Sequence, residues 1–421
     1  MKHPDWLKLD NAAKIYPAVS SRKSPAQFRL AVTFDSPVNY RKMQTAWKLM
    51  IKRCPYFQVY LQRGFFWYYL QRHQDIPALE LLESTPVFTF QPRQSQSHLI
   101  RISVCANTIA LDFSHILTDG SGGLRFLLAL ICEYLRLQGI PIGKIKDVPH
   151  PDDEPGQDEF ADAFRQYFAG DLPHPQPLSE AYHLSGKADS ENRFRMISGS
   201  VPMSEFLELT RKYQVTVTEF LTANYLFCLK ELYFSDTTKR KKTMIRLQVP
   251  VNMRKFHPSQ TMRNFSLYVS PEIDIKLGKY SFEDILKKVH HTLRLQIDQK
   301  ELGRQVARNV GGELNPFVRG VPLFLKDIYL NRIYSKLGEK CYSGVLSNLG
   351  AISLPPTAAE KIKSFSIRIM PNNVMKKSCA VLSYGNDLVI NFCSVIDSVE
   401  LERLFFTKLV DSGFSVRVWE E

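Results

Sequence analysis

The stretch Ile109-Ala110-Leu111-Asp112-Phe113-Ser114-His115-Ile116-Leu117-Thr118-Asp119-Gly120 decides how the chain is read. Side chains alternate between the two faces of a strand. Ile109, Leu111, Phe113 and His115 therefore share one face, and that face is apolar. His115 is the polar group at its end, where the strand leaves the sheet. Desolvation disfavours the charged form and keeps such an imidazole neutral near pH 7. A neutral imidazole can take a proton from an alcohol. Asp119 follows in the next turn, among Gly120, Gly122 and Gly123. Glycine permits the tight backbone path that returns the loop beneath the histidine. An aspartate here can fix that loop by pairing with an arginine, without touching a substrate. On alternation alone, a single histidine ending an apolar strand is more often a satisfied core residue than a base.

Outward from this stretch the first half reads as mixed α and β. Residues 28–34 suit a strand and 40–53 a helix ended by Pro55. Residues 57–61 and 65–70 flank Arg63-Gly64 as a hairpin. Residues 98–106 and 109–114 flank Asn107-Thr108, another tight turn, and Gly122-Gly123 lead into a helix to about residue 137. A polar region from about 140 to 192 holds His150-Pro151-Asp152-Asp153-Glu154-Pro155 and Pro173-His174-Pro175-Gln176-Pro177. Proline at that density excludes regular helix and central strand. The region reads as a long crossover between halves of similar size. The expected division is an N-terminal lobe, 1–185, carrying the His115 stretch and part of the crossover, and a C-terminal lobe, 193–421.

The second half repeats the mixture. Thr216-Val217-Thr218-Glu219 has capping-box spacing, and the helix behind it is apolar on most sides. Strands are expected at 244–251, 265–273, 342–347, 364–370, 378–384 and 388–392, with helices at 282–297 and 401–410. The fold class is mixed α/β. Neither half has a glycine-rich phosphate loop of the dinucleotide or nucleoside-triphosphate kind.

Composition sets the outer bounds. The chain has 421 residues, 44% hydrophobic and 23% charged, which suits a globular protein with a large core. The first ten residues lack the apolar stretch of a signal peptide. The richest apolar segment, 124–135, is interrupted by Arg125 and Glu133, so no membrane span is expected. Seven cysteines are scattered at 54, 105, 132, 228, 341, 379 and 393, without a Cys-x-x-Cys pair. They read as reduced core thiols of a cytoplasmic protein. The net charge of +13 is spread thinly, and the clearest run is Lys239-Arg240-Lys241-Lys242. That run reads as a solvated loop, with contact to a phosphate as the alternative.

His115-x-x-x-Asp119-Gly120, after a strand and before a glycine-rich helix start, resembles the signature of the thioester-dependent acyltransferase superfamily. That superfamily includes chloramphenicol acetyltransferase, the condensation domains of peptide synthetases and the alcohol acetyltransferases. Val249-Pro250-Val251-Asn252-Met253-Arg254, followed by Arg263-Asn264-Phe265, is similar to its second-half core. Ser347-Asn348-Leu349-Gly350 and the opening Trp6-Leu7-Lys8-Leu9-Asp10 with Ile15-Tyr16-Pro17 look like the alcohol acetyltransferase branch. The resemblance implies two similar lobes meeting at a tunnel with His115 midway. It implies acyl-CoA as co-substrate, a small alcohol or amine as acceptor, His115 as general base and no covalent acyl-enzyme. The absence of a Gly-x-Ser-x-Gly elbow agrees. Asp119, with Gly120 beside it, would be structural. Arg254 is the candidate partner of Asp119, the alternative being a surface arginine after a strand. Ser347 and Asn348 are candidates for the oxyanion or the tunnel wall, or else a turn after a strand. Asn264 would line the tunnel or cap a strand.

Two departures bear on the branch. Condensation domains usually carry two adjacent histidines, and here the first position is Ser114, which alternation turns away from His115. The Asp-Phe-Gly-Trp-Gly of the plant acyltransferases is missing. Other signals count for less. His290-His291 point about 100° apart on a helix, and no His-Glu-x-x-His or cysteine-rich spacing exists, so no metal is expected. Phe65-Phe66-Trp67-Tyr68-Tyr69 reads as a strand packed in the core, with an acyl wall or a membrane-contact patch as alternatives. The leading reading is a monomeric, CoA-dependent O-acyltransferase. The others are a donor held on a separate acyl-carrier protein of lipid, polyketide or peptide assembly, and a non-catalytic homologue that binds a carrier. Nucleic acid has only the net charge in its favour and is not expected as a partner.

Overall fold

A computed structural model describes residues 5–21, 23–84, 89–94, 96–170, 172–188, 194–237 and 242–420, with Leu337 described by its backbone alone. Most of the basic run, 239–241, falls outside the described residues; Lys242 pairs with Glu180 at 2.9 Å.

The apolar strand Thr108–Ser114 pairs with Ile100–Cys105 on one side and Gln27–Phe34 on the other. Leu79–Leu81 extends the sheet at one edge and Ile362–Ile369 at the other, giving five strands. Among the described residues only the Leu79–Leu81 pairing of this sheet is parallel. The strand 362–369 lies far into the second half of the sequence, yet it completes this first sheet. The helices Tyr40–Arg53 and Gly120–Leu137 meet through Trp47 and Phe126, whose rings are edge-on at 5.8 Å.

Both faces of Thr108–Ser114 are buried. The second face carries Asp112, directly opposite Arg29. The two form a bidentate pair, Nε to Oδ1 and Nη2 to Oδ2, each at 2.8 Å. Arg101 lies opposite Asp112 on the other neighbouring strand and pairs with Glu80. Arg368 faces Arg29 from the edge strand, and burial lowers its pKa to about 10. A row of charged groups thus runs across the sheet and pins its register, because a one-residue slip would move every member to the opposite face.

Among the described residues the second sheet has eight strands. Its path is Ser266–Val269, Met244–Asn252, Gly344–Ile352, Lys377–Tyr384, Asp387–Ser394, Arg195–Pro202 and Arg417–Glu420, with Glu272–Asp274 beside Met244–Asn252. Gly344–Ile352 runs parallel to both of its neighbours, which makes the sheet mixed. The helices Val217–Ser235, Phe282–Gln296 and Glu400–Asp411 contribute to the core beside it. Val217–Ser235 begins with the expected capping box: Glu219 N–H donates to Thr216 Oγ1 at 3.2 Å, and Thr216 N–H to Glu219 Oε2 at 2.6 Å. A small three-stranded sheet, Trp6–Lys8, Tyr68–Arg72 and Val59–Arg63, completes the architecture.

Two expectations need correction. The strand expected at 265–273 is two strands, Ser266–Val269 and Glu272–Asp274, with Pro271 in the break. Proline has no N–H to donate to the ladder. The aromatic run is not a buried strand. Its hairpin turns through Gly64–Trp67, closed by Gly64 N–H on the Trp67 carbonyl at 3.1 Å. Phe65 and Phe66 stand at the tip, 72% and 44% exposed, and the strand resumes only at Tyr68.

No helix among the described residues is long and apolar enough to cross a membrane. The seven cysteines are free thiols. Asp112→Ala would strand Arg29 inside the sheet without its carboxylate. The expected loss is about 3–5 kcal/mol of unfolding free energy. It would be read as a lower midpoint in denaturant, and an unchanged midpoint would contradict the part given to this pair.

Candidate active site

His115 lies one residue past the strand Thr108–Ser114 and is held at both backbone groups. Its N–H donates to the Ala26 carbonyl at 2.9 Å. Its own carbonyl accepts from Asn264 Nδ2 at 2.9 Å. Two rings pack on the imidazole: Tyr16, stacked at 5.4 Å, and Phe28, tilted at 4.9 Å. Nδ1 is buried without a hydrogen-bond partner. His115 as a whole is only partly buried and forms part of a cavity wall. Burial pulls the imidazole pKa down to about 4, against the opposing pull of the Asp119 carboxylate and the Thr118 backbone. The ring is therefore neutral at physiological pH.

Asp119 caps the helix Gly120–Leu137, its Oδ1 accepting from Gly122 N–H at 2.9 Å. Its Oδ2 accepts from Arg254 Nη1 at 2.9 Å and from Phe265 N–H at 2.7 Å. Both oxygens are committed to donors of the protein. Arg254 is held in turn, donating from Nε to the Thr261 carbonyl at 3.0 Å and from Nη2 to the Arg263 carbonyl at 2.6 Å. The helix start admits nothing larger than glycine at 122. A Cβ there would collide with the Met262 carbonyl and Thr118 Oγ1.

A cavity of about 1650 Å³ runs between the two large sheets. Small-molecule pockets usually hold roughly 300–1,000 Å³, so this one has room for two reactants. His115, Asp119, Gly120, Asn264, Ser347 and Asn348 all line it. Arg254 stands behind Asp119, outside the lining. The three polar residues differ in what they have left to offer. Asn264 is 3% exposed, and its amide is already shared between the His115 carbonyl and Asp10 Oδ2. Asn348 donates to Thr218 Oγ1 at 3.0 Å and accepts from Gly350 N–H at 2.9 Å. The Ser347 hydroxyl is half-buried in the wall and makes no hydrogen bond among the described residues.

Several contributors were not singled out as site residues from the sequence. Tyr16 and Phe28 come from distant segments, and only the fold brings them to His115. Asp10, fully buried, joins Asn264, Arg263 and the Ala13 N–H, and so ties the N-terminal segment to the site. Ser114 turns away from His115 and takes the Ile116 N–H at 3.3 Å. Among the described residues no group of three or more His, Cys, Asp or Glu side chains could hold a metal.

Comparison with protein-family models gives no match, and no curated protein sequence matches the chain. Solved structures match over nearly all of it. TRI101 of F. sporotrichioides, determined with coenzyme A and T-2, gives a TM-score of 0.64 at 10% identity, over 98% of this chain and 99% of that one. The starter condensation domain of rhizomide synthetase RzmA, determined with C8-CoA, gives 0.62 at 12% identity, over 96% and 93%. The TRI3 trichothecene 15-O-acetyltransferase of Fusarium sporotrichioides gives 0.59 at 10% identity, over 97% and 95%. Identities this low speak for architecture alone. The chain has the two-lobed, mixed α/β fold found in that acetyltransferase and that condensation domain.

Proposed function

We propose that the chain transfers an acyl group from acyl-CoA to the hydroxyl or amine of a small acceptor, with His115 as general base. One observation carries this reading. A neutral, partly exposed imidazole stands in the wall of a cavity large enough for two reactants. The fold shared with an acetyltransferase, and with structures holding coenzyme A or C8-CoA, supports it.

In the proposed reaction the acceptor's proton moves to Nε2 as its oxygen or nitrogen attacks the thioester carbonyl carbon. The C–S bond then breaks, and the thiolate takes the proton back from the imidazolium. No covalent acyl-enzyme forms. Holding both reactants in one cavity converts a bimolecular encounter into an oriented one. The free Ser347 hydroxyl is the better placed donor to the developing oxyanion, since the Asn348 amide is already engaged. Asp119 and Arg254 act at one remove, by fixing the helix start behind His115. Lys255, Arg294 and Arg308 also line the cavity and offer cationic partners to the phosphates of CoA.

Thiol release from acetyl-CoA and longer acyl-CoAs, with a panel of alcohols and amines, tests the class. Acceptor-dependent release should fall about 10²–10⁴-fold in His115→Ala. Release that survives the substitution removes His115 as base. No release from any CoA, but turnover with acyl-carrier protein, would move the donor to a carrier.

The acid limb gives a second check. A base must be neutral to act, so kcat/KM should stay level from neutral pH downward and fall with a midpoint near 4, where His115 protonates. A midpoint near the ordinary histidine value of about 6.5 would show that the imidazole is not desolvated. The Asp119 carboxylate raises the His115 pKa, so Asp119→Asn should move the midpoint lower. Arg254→Met should lower kcat by about tenfold or more and leave the midpoint closer to that of the parent, as a positioning role requires. A shift as large as that of Asp119→Asn would instead make Arg254 part of the titration.

A further inference from the structure

The hairpin tip and the segment 316–333 form one apolar surface at the edge of the cavity. Phe65 and Phe66 stand on the tip. Phe317, 87% exposed, belongs to the short helix Pro316–Gly320. Phe324, Ile328 and Tyr329 belong to the helix Leu323–Ile333 and are 53–58% exposed. A single buried ammonium joins the three elements. Lys326 Nζ donates to the Phe66 carbonyl at 2.9 Å and to the Arg319 carbonyl at 3.1 Å, and lies 3.9 Å from the centre of the Trp67 ring. Leu323 N–H adds a bond to the Phe65 carbonyl at 2.9 Å. The exposed rings are therefore held together on ordered backbone.

The helix Leu323–Ile333 buries Leu323 and Lys326 and turns Phe324, Leu325, Ile328 and Tyr329 outward, and contiguous exposed apolar surface marks an interaction site. Charge says what kind. Arg63, Arg319, Arg332 and Lys336 are exposed around the rings, on a chain of net charge +13. The one acidic side chain of 314–336, Asp327, is engaged by the Tyr68 hydroxyl at 2.9 Å. Aromatic and aliphatic tips ringed by cations suit the boundary of an anionic bilayer, where the rings enter the acyl region and the cations meet phosphate. Tyr329 belongs both to this surface and to the cavity wall, so the surface borders a mouth of the cavity.

We infer that this surface seats the protein on anionic phospholipid membrane, with that mouth of the cavity facing the bilayer. The inference stands apart from the acyl-transfer reading, because binding to vesicles needs no turnover.

Flotation of the full chain with phosphatidylcholine vesicles, plain or carrying about a third phosphatidylglycerol, tests it. The parent should float with the anionic vesicles, less so at high salt, and scarcely with plain phosphatidylcholine. Phe65→Ser with Phe66→Ser, and separately Phe324→Ser with Ile328→Ser, should weaken the partition about tenfold or more. Arg319→Glu with Arg332→Glu should weaken it on anionic vesicles only. Matching thermal melts would show that these exposed positions leave the fold intact. No flotation of the parent, or equal flotation of the paired serine variants, would overturn the inference. So would a dimer, seen by light scattering, that the phenylalanine substitutions dissolve, since a second copy would then be the occupant.

Discussion

The site depends on one buried ion pair. Asp119 ends the loop that follows His115 and begins the helix Gly120–Leu137, and Arg254 reaches it from the far half of the sequence. The pair does more than neutralise charge. Arg254 also donates to the Thr261 and Arg263 carbonyls and to Asn252 Oδ1, and Asp119 takes the Phe265 N–H. The loop of residues 252–265 is thereby wrapped around the start of the helix. That same loop delivers Asn264 to the His115 carbonyl. Removing either charge would leave the other buried and uncompensated, a costly state in a low-dielectric interior. Two halves of the chain are thus registered against each other at the histidine itself.

The imidazole shows the complementary constraint. Packing against Tyr16 and Phe28 withholds water and keeps the ring neutral well into the acid range. The cost falls on stability rather than on charge state. Unfolded histidine titrates near 6.5 and the folded ring near 4. Between those values the unfolded chain binds more protons, so this residue lowers stability as pH falls through that window. A cavity wall that desolvates an imidazole in this way needs the surrounding bonds to hold it.

Much of this was legible in the sequence, and the rest was hidden for specific reasons. The helix Tyr40–Arg53 and the capping box of Thr216 and Glu219 are local patterns, and each appears where its residues imply. The apolar face of the His115 strand follows from local alternation, whereas the Arg29 pairing of Asp112 requires the neighbouring strand. The aromatic run misled because alternation has meaning only once the turn is placed, and Gly64 closes a longer turn than Arg63-Gly64 suggested. The helix Leu323–Ile333 lacks a helical stripe, because it turns Phe324, Leu325, Ile328 and Tyr329 outward and buries Leu323 and Lys326. At the site, the loop and its aspartate follow from spacing. Tyr16, Phe28 and Asp10 do not, because their contacts with the site are made across long stretches of chain.

The edge strand Ile362–Ile369 has a bearing on how the protein is made. It pairs with Gln27–Phe34 along its whole length, so one of the earliest strands to be synthesised waits for one of the last. During translation the first sheet therefore emerges with an open edge, and its backbone donors face water until most of the chain has left the ribosome. Closure of that edge is a long-range step with a large entropic cost, of the sort that makes folding slow and exposes nascent chains to misassembly. The two sheets are in this sense not separable products: a gene fragment ending at the proline-rich crossover would encode a sheet without its border.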